Sequence, residues 1–506
     1  MAKKEKLTQS QIDGVQYRRA KTWQIILQAC NALVGMSVYS LIGMASYAGS
    51  IGFGIATVTV GTIIAFSRIL DGITDPLLAF VYDRVNTKWG KLRVLMIMGF
   101  VIEAIGLLCM FSFFSSKGLA GVLGIVVFTL TYVVYIIGYT ITNMTAQTLP
   151  AIMTNDPKQR PTIGVWTTAM NYMVPMIMTM LLNMVLLPKF GTIVTTATGQ
   201  ISFNYNQAFL TAAVWTTVGV AALGTLLVCI GISEFDKPEY LEGTTKKHEN
   251  LKLKDMLNVL AHNRPLQCYI ASNASDKIAQ QTMTQAVINT LINGILIGNL
   301  QIATMLTVIS MIPSIFFAAF GARYVGRHGS KKGITFWTMV SMAISVVTFV
   351  FFLVINPKQI GVMFSPAMII YVILTLLQNG SNMCVTTANT SFMADTIDYE
   401  LDRSGKYIPA VVTGTYSLID KLITSLSAVI ATGAVALIGY TSTMPQPGDP
   451  STPGVFWVSM AVKFGFPIIG WIITLVAMKF CPLTKEEMVN VQKRIAEKKA
   501  ALKANA

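Results

Sequence analysis

The sequence predicts an all-α membrane protein, with twelve transmembrane helices in two pseudo-symmetric six-helix bundles. The chain is 53% hydrophobic and only 12% charged over its 506 residues, whereas a soluble domain carries roughly 25% charged residues. Its apolar stretches divide into about twelve segments that reach the roughly 20 residues needed to cross a bilayer as a helix. The polar intervals between them carry basic residues in a strictly alternating way.

The expected spans are 22–47, 53–82, 93–115, 121–149, 163–188, 207–232, 264–290, 295–320, 334–355, 362–392, 408–438 and 454–480. Loops assigned alternately to two sides divide the 38 Lys and Arg residues very unevenly. One side holds both chain termini and the loops 83–93, 150–162, 233–264, 321–333 and 393–407; the other holds only Lys117, Lys189 and Lys358. By the positive-inside rule this places both termini in the cytoplasm of a multi-pass cell-membrane protein. The net charge of +15 is then an orientation signal with some attraction to the lipid bilayer. It does not indicate nucleic acid, since no groove or aromatic platform accompanies it. Met1 to Lys21 lacks an apolar core, so no cleaved signal peptide is expected. The six cysteines are scattered without Cys-x-x-Cys spacing, which indicates packing rather than zinc or disulfides.

The organisation follows from the longest polar interval, which separates two comparable halves. A tail (1–21) precedes an N-terminal bundle (22–232); a middle loop (233–263) leads to a C-terminal bundle (264–480) and a second tail (481–506). The basic turn at 83–93 has a counterpart at Arg323 to Lys332, and the turn at Thr154 to Arg160 has one at Asp395 to Lys406. Paired halves that rock about a central site are a common transporter layout.

Polar residues inside the spans are the candidate functional groups. Arg68, Asp71 and Asp75 share a helical stripe, with the carboxylates one turn apart, about 6 Å along the axis. Bare carboxylates in hydrocarbon are costly, so they should face protein or a wet cavity. There they could bind Na+ or share a proton, with Thr74 adding a hydroxyl oxygen. Lys421, beside Asp420, could pair with either acid and compete with the cation; the competing reading is a fixed ion pair or a snorkelling lysine. Asp276 and Lys277, amid Asn273, Gln280, Gln281 and Gln285, make a second polar stripe that could bind substrate hydroxyls or join helices. Tyr139, Asn143 and Gln147 in the fourth span, and Asn382 and Thr386 in the tenth, suit a polyhydroxylated solute. Glu103 stands alone and reads as a structural partner. No Walker loop, Gly-x-Ser-x-Gly, His-Glu-x-x-His or dinucleotide fingerprint occurs, so no enzyme and no cofactor are expected. Without a nucleotide site, uphill transport would draw on an ion gradient.

Arg68 to Pro76 followed by Trp89-Gly90-Lys91 resembles the second-helix signature of the glycoside–pentoside–hexuronide:cation symporters, the melibiose permease group of the major facilitator superfamily. Asn143 to Arg160 resembles that family's fourth helix and following loop. Met393 to Glu400, then Gly405-Lys406, resembles the motif after its tenth helix, and Lys421 falls where the family has a lysine in the eleventh. The resemblance covers the whole chain in order. It implies symport of a small saccharide or glycoside with Na+, H+ or Li+, with Asp71, Asp75 and Lys421 at the coupling site. It also implies cytoplasmic gating at Asp83, Arg84, Lys91, Arg160, Asp395 and Asp398. Thr74 stands where melibiose permease has a cation-site asparagine, which leaves H+ open beside Na+. Asn143 stands where that permease has a sugar-binding aspartate, and Gln147 and Thr386 where it has tryptophans. Gln28 and Asn31 are nearest to its first-helix acid. The saccharide is therefore not expected to be held as melibiose is. Two rival readings are a same-fold carrier of a lysolipid or amphiphile and a non-transporting membrane sensor. On the coupling assignment, Asp75→Asn and Asp71→Cys should abolish gradient-driven accumulation while the folded protein stays in the membrane; normal accumulation by Asp75→Asn would contradict it.

Overall fold

In hydrocarbon, only a helix satisfies its backbone groups within one segment, so long runs of Leu, Ile, Val, Met and Phe become helices. A computed structural model of the chain describes residues 19–67, 69, 89–154, 159–195, 201–236, 253–404 and 409–504. In the N-terminal half these runs form α1 (Thr22–Ile42), α2 (Thr57–Ser67), α3 (Leu92–Lys117), α4 (Gly121–Met153), α5 (Arg160–Met180) and α6 (Gln207–Gly231). A short helix, α7 (Leu253–His262), precedes α8 (Arg264–Thr284), α9 (Ala286–Leu296), α10 (Leu300–His328) and α11 (Ser330–Val354). The chain continues through α12 (Pro366–Ser404), α13 (Pro409–Ala436), α14 (Pro453–Phe480) and the polar α15 (Lys485–Ala504).

Among the described residues nine helical segments are long and apolar enough to cross a membrane, with α2 and α9 as shorter apolar helices. The expected second span continues into residues outside those described. The expected seventh span, 264–290, is not one helix. Gln285 adopts extended backbone (φ −63°, ψ 133°), which ends α8 and starts α9. The freed amide of Ala286 donates to the carbonyl of Gly43 on the N-terminal half, at 3.3 Å. The break is thus satisfied by protein, as buried irregular backbone must be.

The two halves repeat one packing scheme. In the first, α1 packs on α5 and α6 while α3 packs on α4; in the second, α8 packs on α13 and α14 while α11 packs on α12. Glu103 is 1% exposed at the α3–α4 contact, where the Thr142 hydroxyl donates to it at 3.2 Å.

Most bonds between described residues of the two halves gather at one end. There Tyr47 donates to the Pro445 carbonyl at 2.7 Å, and the Thr57 amide to the Thr441 carbonyl at 3.0 Å. The hairpin of β1 (Thr192–Thr195) and β2 (Ile201–Asn204), paired antiparallel with Thr192 opposite Asn204, reaches the same place. The Gly448 amide donates to Asn204 and the Tyr205 amide to Gln446, both at 2.9 Å. Gly61 on α2 lies so close to Thr432 on α13 that a Cβ would collide with it. The largest apolar cluster sits here and draws on both halves, with Tyr47, Phe53, Phe111 and Phe128 beside Val287, Leu291, Val435 and Met444.

At the other end the described bonds stay within each half. Gln159 holds the Ala20 backbone, and Gln24 donates to Glu234 at 2.8 Å. Asp236 caps α3 from a distance, accepting the amides of Lys91, Leu92 and Arg93 at 3.0, 3.0 and 2.9 Å and the Arg93 side chain at 3.3 Å. A carboxylate at a helix N-terminus satisfies free N–H groups and opposes the helix dipole. Gly90 makes this possible: its φ is +100°, and a side chain there would strike Asp236. That contact gives the Trp89-Gly90-Lys91 motif a physical reason. Gly90→Ala should therefore cost about 1–3 kcal/mol of stability, read as a lower unfolding temperature of the detergent-purified protein; an unchanged midpoint would contradict this account of the turn.

Candidate functional site

The polar stripe of α8 begins at its cap. The Asn263 side chain accepts the Leu266 amide at 2.9 Å and donates to Glu400 on α12 at 2.9 Å. Asn273, Asp276, Lys277 and Gln280 then recur at helical spacing, so they share one face. The Asn273 amide donates to the Tyr269 and Tyr416 hydroxyls at 2.9 and 2.7 Å, and its oxygen accepts from Asn389 at 3.4 Å. Tyr416 in turn donates to Asp420 at 3.3 Å. Lys277 is 3.1 Å from the other Asp420 oxygen and 5.3 Å from the centre of the Tyr416 ring. Asp276 is 7% exposed and accepts from Thr474 on α14 at 3.3 Å. Charge and hydrogen bonds thus tie α8 to α12, α13 and α14.

In front of this network lies a cavity of about 690 Å³, within the usual range for small-molecule sites. Asp276 and Gln280 line it from α8, Gln378, Asn379, Asn382 and Thr386 from α12, and Ser345 and Thr348 from α11. Tyr172 of α5 faces it from the N-terminal half, its hydroxyl 3.4 Å from the Met383 sulfur. Tyr371, Phe464 and Trp471 supply aromatic surface. The Gln378 side-chain oxygen is buried without a partner, although its amide donates to Asn382 at 3.3 Å. A second cavity of about 330 Å³ shares Met283 and Thr284 with the first and opens between the halves, lined by Tyr39, Ser40, Asn183, Gln281 and Asn289. Aromatic faces with convergent amides and hydroxyls can stack on and hydrogen-bond a compact polyhydroxylated solute.

The sequence-derived residues fall in several places. Asp276, Gln280, Asn382 and Thr386 line the larger cavity, with Asn273 and Lys277 one layer behind. Asn31 on α1 and Tyr139 and Asn143 on α4 lie outside the lining of both cavities. Gln147 and Arg160 sit on α4 and α5, their side chains outside those described. Asp71, Thr74, Asp75, Asp83 and Arg84 lie outside the described residues. Lys421 is half-buried on α13, next to Asp420 in the chain. Lys91 precedes α3, and Asp395 and Asp398 lie on the polar end of α12. Asp395 accepts from Ser330 at the start of α11, and Asp398 from Gln492 of α15 at 2.7 Å.

Sequence reasoning missed Lys463 of the last span, which lines the cavity. Its signal was a cation inside an otherwise apolar run, but its partners come from distant helices.

A helical fold of repeated halves, with many helices long and apolar enough to cross a membrane and polar cavities among them, is that of a membrane transporter. The chain belongs to the MFS/sugar transport protein family, whose model matches residues 33–485. It is 21% identical over 466 residues to a protein of Escherichia coli (strain K12) named glycoside/cation symporter YagG, covering 89% of each chain. It is 20% identical over 455 residues to the uncharacterized symporter YnaJ of Bacillus subtilis (strain 168), covering 88% of each. Among solved structures, the nucleoside transporter NupG superimposes with a TM-score of 0.55 at 14% identity, over 92% of this chain and 100% of that one.

The Lys277–Asp420 pair makes a direct prediction. Lys277→Ala alone or Asp420→Ala alone should destabilise the protein, by less than the about 3–5 kcal/mol of a fully buried pair because the Lys277 side chain is 39% exposed. Swapping the charges (Lys277→Asp with Asp420→Lys) should recover part of the loss in thermal unfolding. Strictly additive effects would show that the two side chains do not interact.

Proposed function

We propose that the protein is a secondary active transporter that moves a sugar or glycoside together with a monovalent cation, by alternating access. The observation that carries this reading is the cavity itself, a pocket of amides, hydroxyls and aromatic faces within the C-terminal half that Tyr172 of the N-terminal half faces and that adjoins a smaller cavity lined by both halves. Family membership and symporter-named relatives spanning 88–89% of the chain support it. So does the gathering of cross-half bonds at one end, which a rocking motion would break and remake.

In this reading the saccharide occupies the larger cavity, stacked on Trp471 and held by Gln280, Gln378, Asn382 and Thr386. Asp71, Thr74, Asp75 and Lys421 form the cation-coupling group, for Na+ or H+. The coupling ion neutralises costly carboxylates and so favours closure around the loaded site. In the same reading, by the positive-inside rule, the chain termini, α15 and the basic interval 83–93 lie on the cytoplasmic side of the cell membrane and the bonded end lies outside. Asp395, Asp398 and the 83–93 turn belong to the cytoplasmic gate.

The test is uptake by purified protein in proteoliposomes across a panel of labelled sugars and glycosides, with Na+ and pH gradients imposed separately. Accumulation above the external concentration under one of the gradients is expected, collapsing when that gradient is dissipated. Uptake that only equilibrates under both gradients would contradict coupling, and none for any member would contradict saccharide transport.

A further inference from the structure

The cysteines are scattered along the sequence, yet the fold brings two of them together. Cys268 lies about one turn into α8, and Cys481 directly follows α14. The two helices pack on each other, and the Ser275 hydroxyl donates to the Gly470 carbonyl at 3.1 Å. Thr474 donates to the Ser272 carbonyl at 3.2 Å. Beyond these contacts the Cys481 thiol donates a hydrogen bond to the Cys268 sulfur. Both are free thiols, Cys268 8% and Cys481 2% exposed, in one cluster with Tyr269, Phe392 and Met478.

Packing alone does not account for this pair. The Lys331 ammonium donates to the Cys481 carbonyl at 2.6 Å, and Lys331 and Arg264 both bring positive charge to Cys268. Electropositive surroundings mark reactive cysteines, whereas purely apolar ones mark inert cysteines. The hydrogen bond to Cys268, and then burial, hold the Cys481 thiol well above the ordinary cysteine range. Cys481 is therefore the proton-bearing partner, and Cys268, which accepts from it, is the nucleophile of the two.

We propose that Cys268 and Cys481 form a redox-active dithiol, which hydrogen peroxide converts to a disulfide that locks α8 to α14. The small exposure of both sulfurs calls for an oxidant little larger than water. The Cys268 sulfur attacks one peroxide oxygen and the O–O bond breaks. The departing oxygen takes the thiol proton and leaves as water, and Cys268 becomes a sulfenic acid. The Cys481 sulfur then attacks the Cys268 sulfur; the S–O bond breaks, and the hydroxyl leaves as a second water with the Cys481 proton. Two thiols are oxidised by two electrons in all, and one peroxide is reduced to two waters. A dithiol reductant reverses the bond by thiol–disulfide exchange. In the orientation proposed above the pair lies on the cytoplasmic side, where protein disulfides are usually transient or redox-sensing. Asp276 and Gln280 of α8 and Trp471 of α14 line the larger cavity, so the lock fixes part of its wall.

The experiment treats the full-length wild-type protein in nanodiscs with hydrogen peroxide, then maps its cysteines by peptide mass spectrometry. A peptide pair joined through Cys268 and Cys481 is expected, returned to free thiols by dithiothreitol, while Cys30, Cys109, Cys229 and Cys384 stay reduced. Hydrogen exchange of the same preparation should slow several-fold at the start of α8 and the end of α14 on oxidation. Cys268→Ser and Cys481→Ser should each abolish both changes. Because wild type is compared with itself, a misfolded variant cannot imitate the result. The proposal is overturned if both thiols stay reduced, or if Cys268 proceeds to a sulfinic acid with Cys481 free. It is equally overturned if either pairs with another cysteine, or if the disulfide forms without slower exchange. In proteoliposomes that accumulate a solute, oxidation should slow uptake several-fold and dithiothreitol should restore it; unchanged uptake by oxidised protein would overturn the lock. Only that last readout rests on the transport reading, whose failure would leave the mass and exchange results to decide the dithiol.

Discussion

A bilayer offers buried charges and unpaired backbone groups no partners, so each polar group placed at its depth must find one in the protein or face a wet cavity. In α8 this constraint determines the whole neighbourhood. Asn273 is held by two tyrosine hydroxyls, Lys277 by Asp420, and Asp276 by Thr474, so that α13 and α14 are fixed against α8 by polar contacts as well as by packing. The broken backbone at Gln285 is completed by Gly43 of the other half. The Gln378 oxygen, buried without a partner, belongs to a residue lining the cavity, where a solute's hydroxyl can complete it.

The same constraint separates what can move from what cannot. The ion pairs between described residues lie within a single half, as in Lys277–Asp420, Arg93–Asp236 and Arg494–Asp402. The bonds that cross between described residues of the two halves are neutral, made by backbone carbonyls, amides and uncharged side chains. Neutral bonds each contribute only about 0.5–1.5 kcal/mol net and can be exchanged for water. Separating the halves at this end therefore breaks none of these ion pairs.

Much of this was legible in the chain because hydrocarbon imposes a simple rule on composition. Long apolar runs gave helices such as α6 and α11 almost at their expected bounds, and the stripe on α8 was visible from the spacing of Asn273, Asp276 and Lys277. Partnerships were less legible, since they depend on which helices meet. Asp420 was read only as a neighbour of Lys421, yet its partner is Lys277, more than a hundred residues away. Lys463 was missed because the rings it meets, Phe352 and Tyr371, come from α11 and α12. The break at Gln285 had no local signal, as neither proline nor glycine marks it and its compensation comes from α1's end of the chain. The β1–β2 hairpin is likewise stabilised by a distant loop, through Asn204 and Gly448.

The central claim is that the bonded end of the molecule opens and closes around a fixed cavity as the two halves rock. It is tested most directly by electron–electron double resonance between spin labels at Ile193 on the hairpin and Ser442 on the facing loop, in protein reconstituted in nanodiscs. The account predicts one short distance in the absence of solute and a second, longer distance whose population changes when a transported saccharide and its coupling cation are added together. A single distance, unchanged by solute, cation or pH in protein that is active in proteoliposomes, would contradict it.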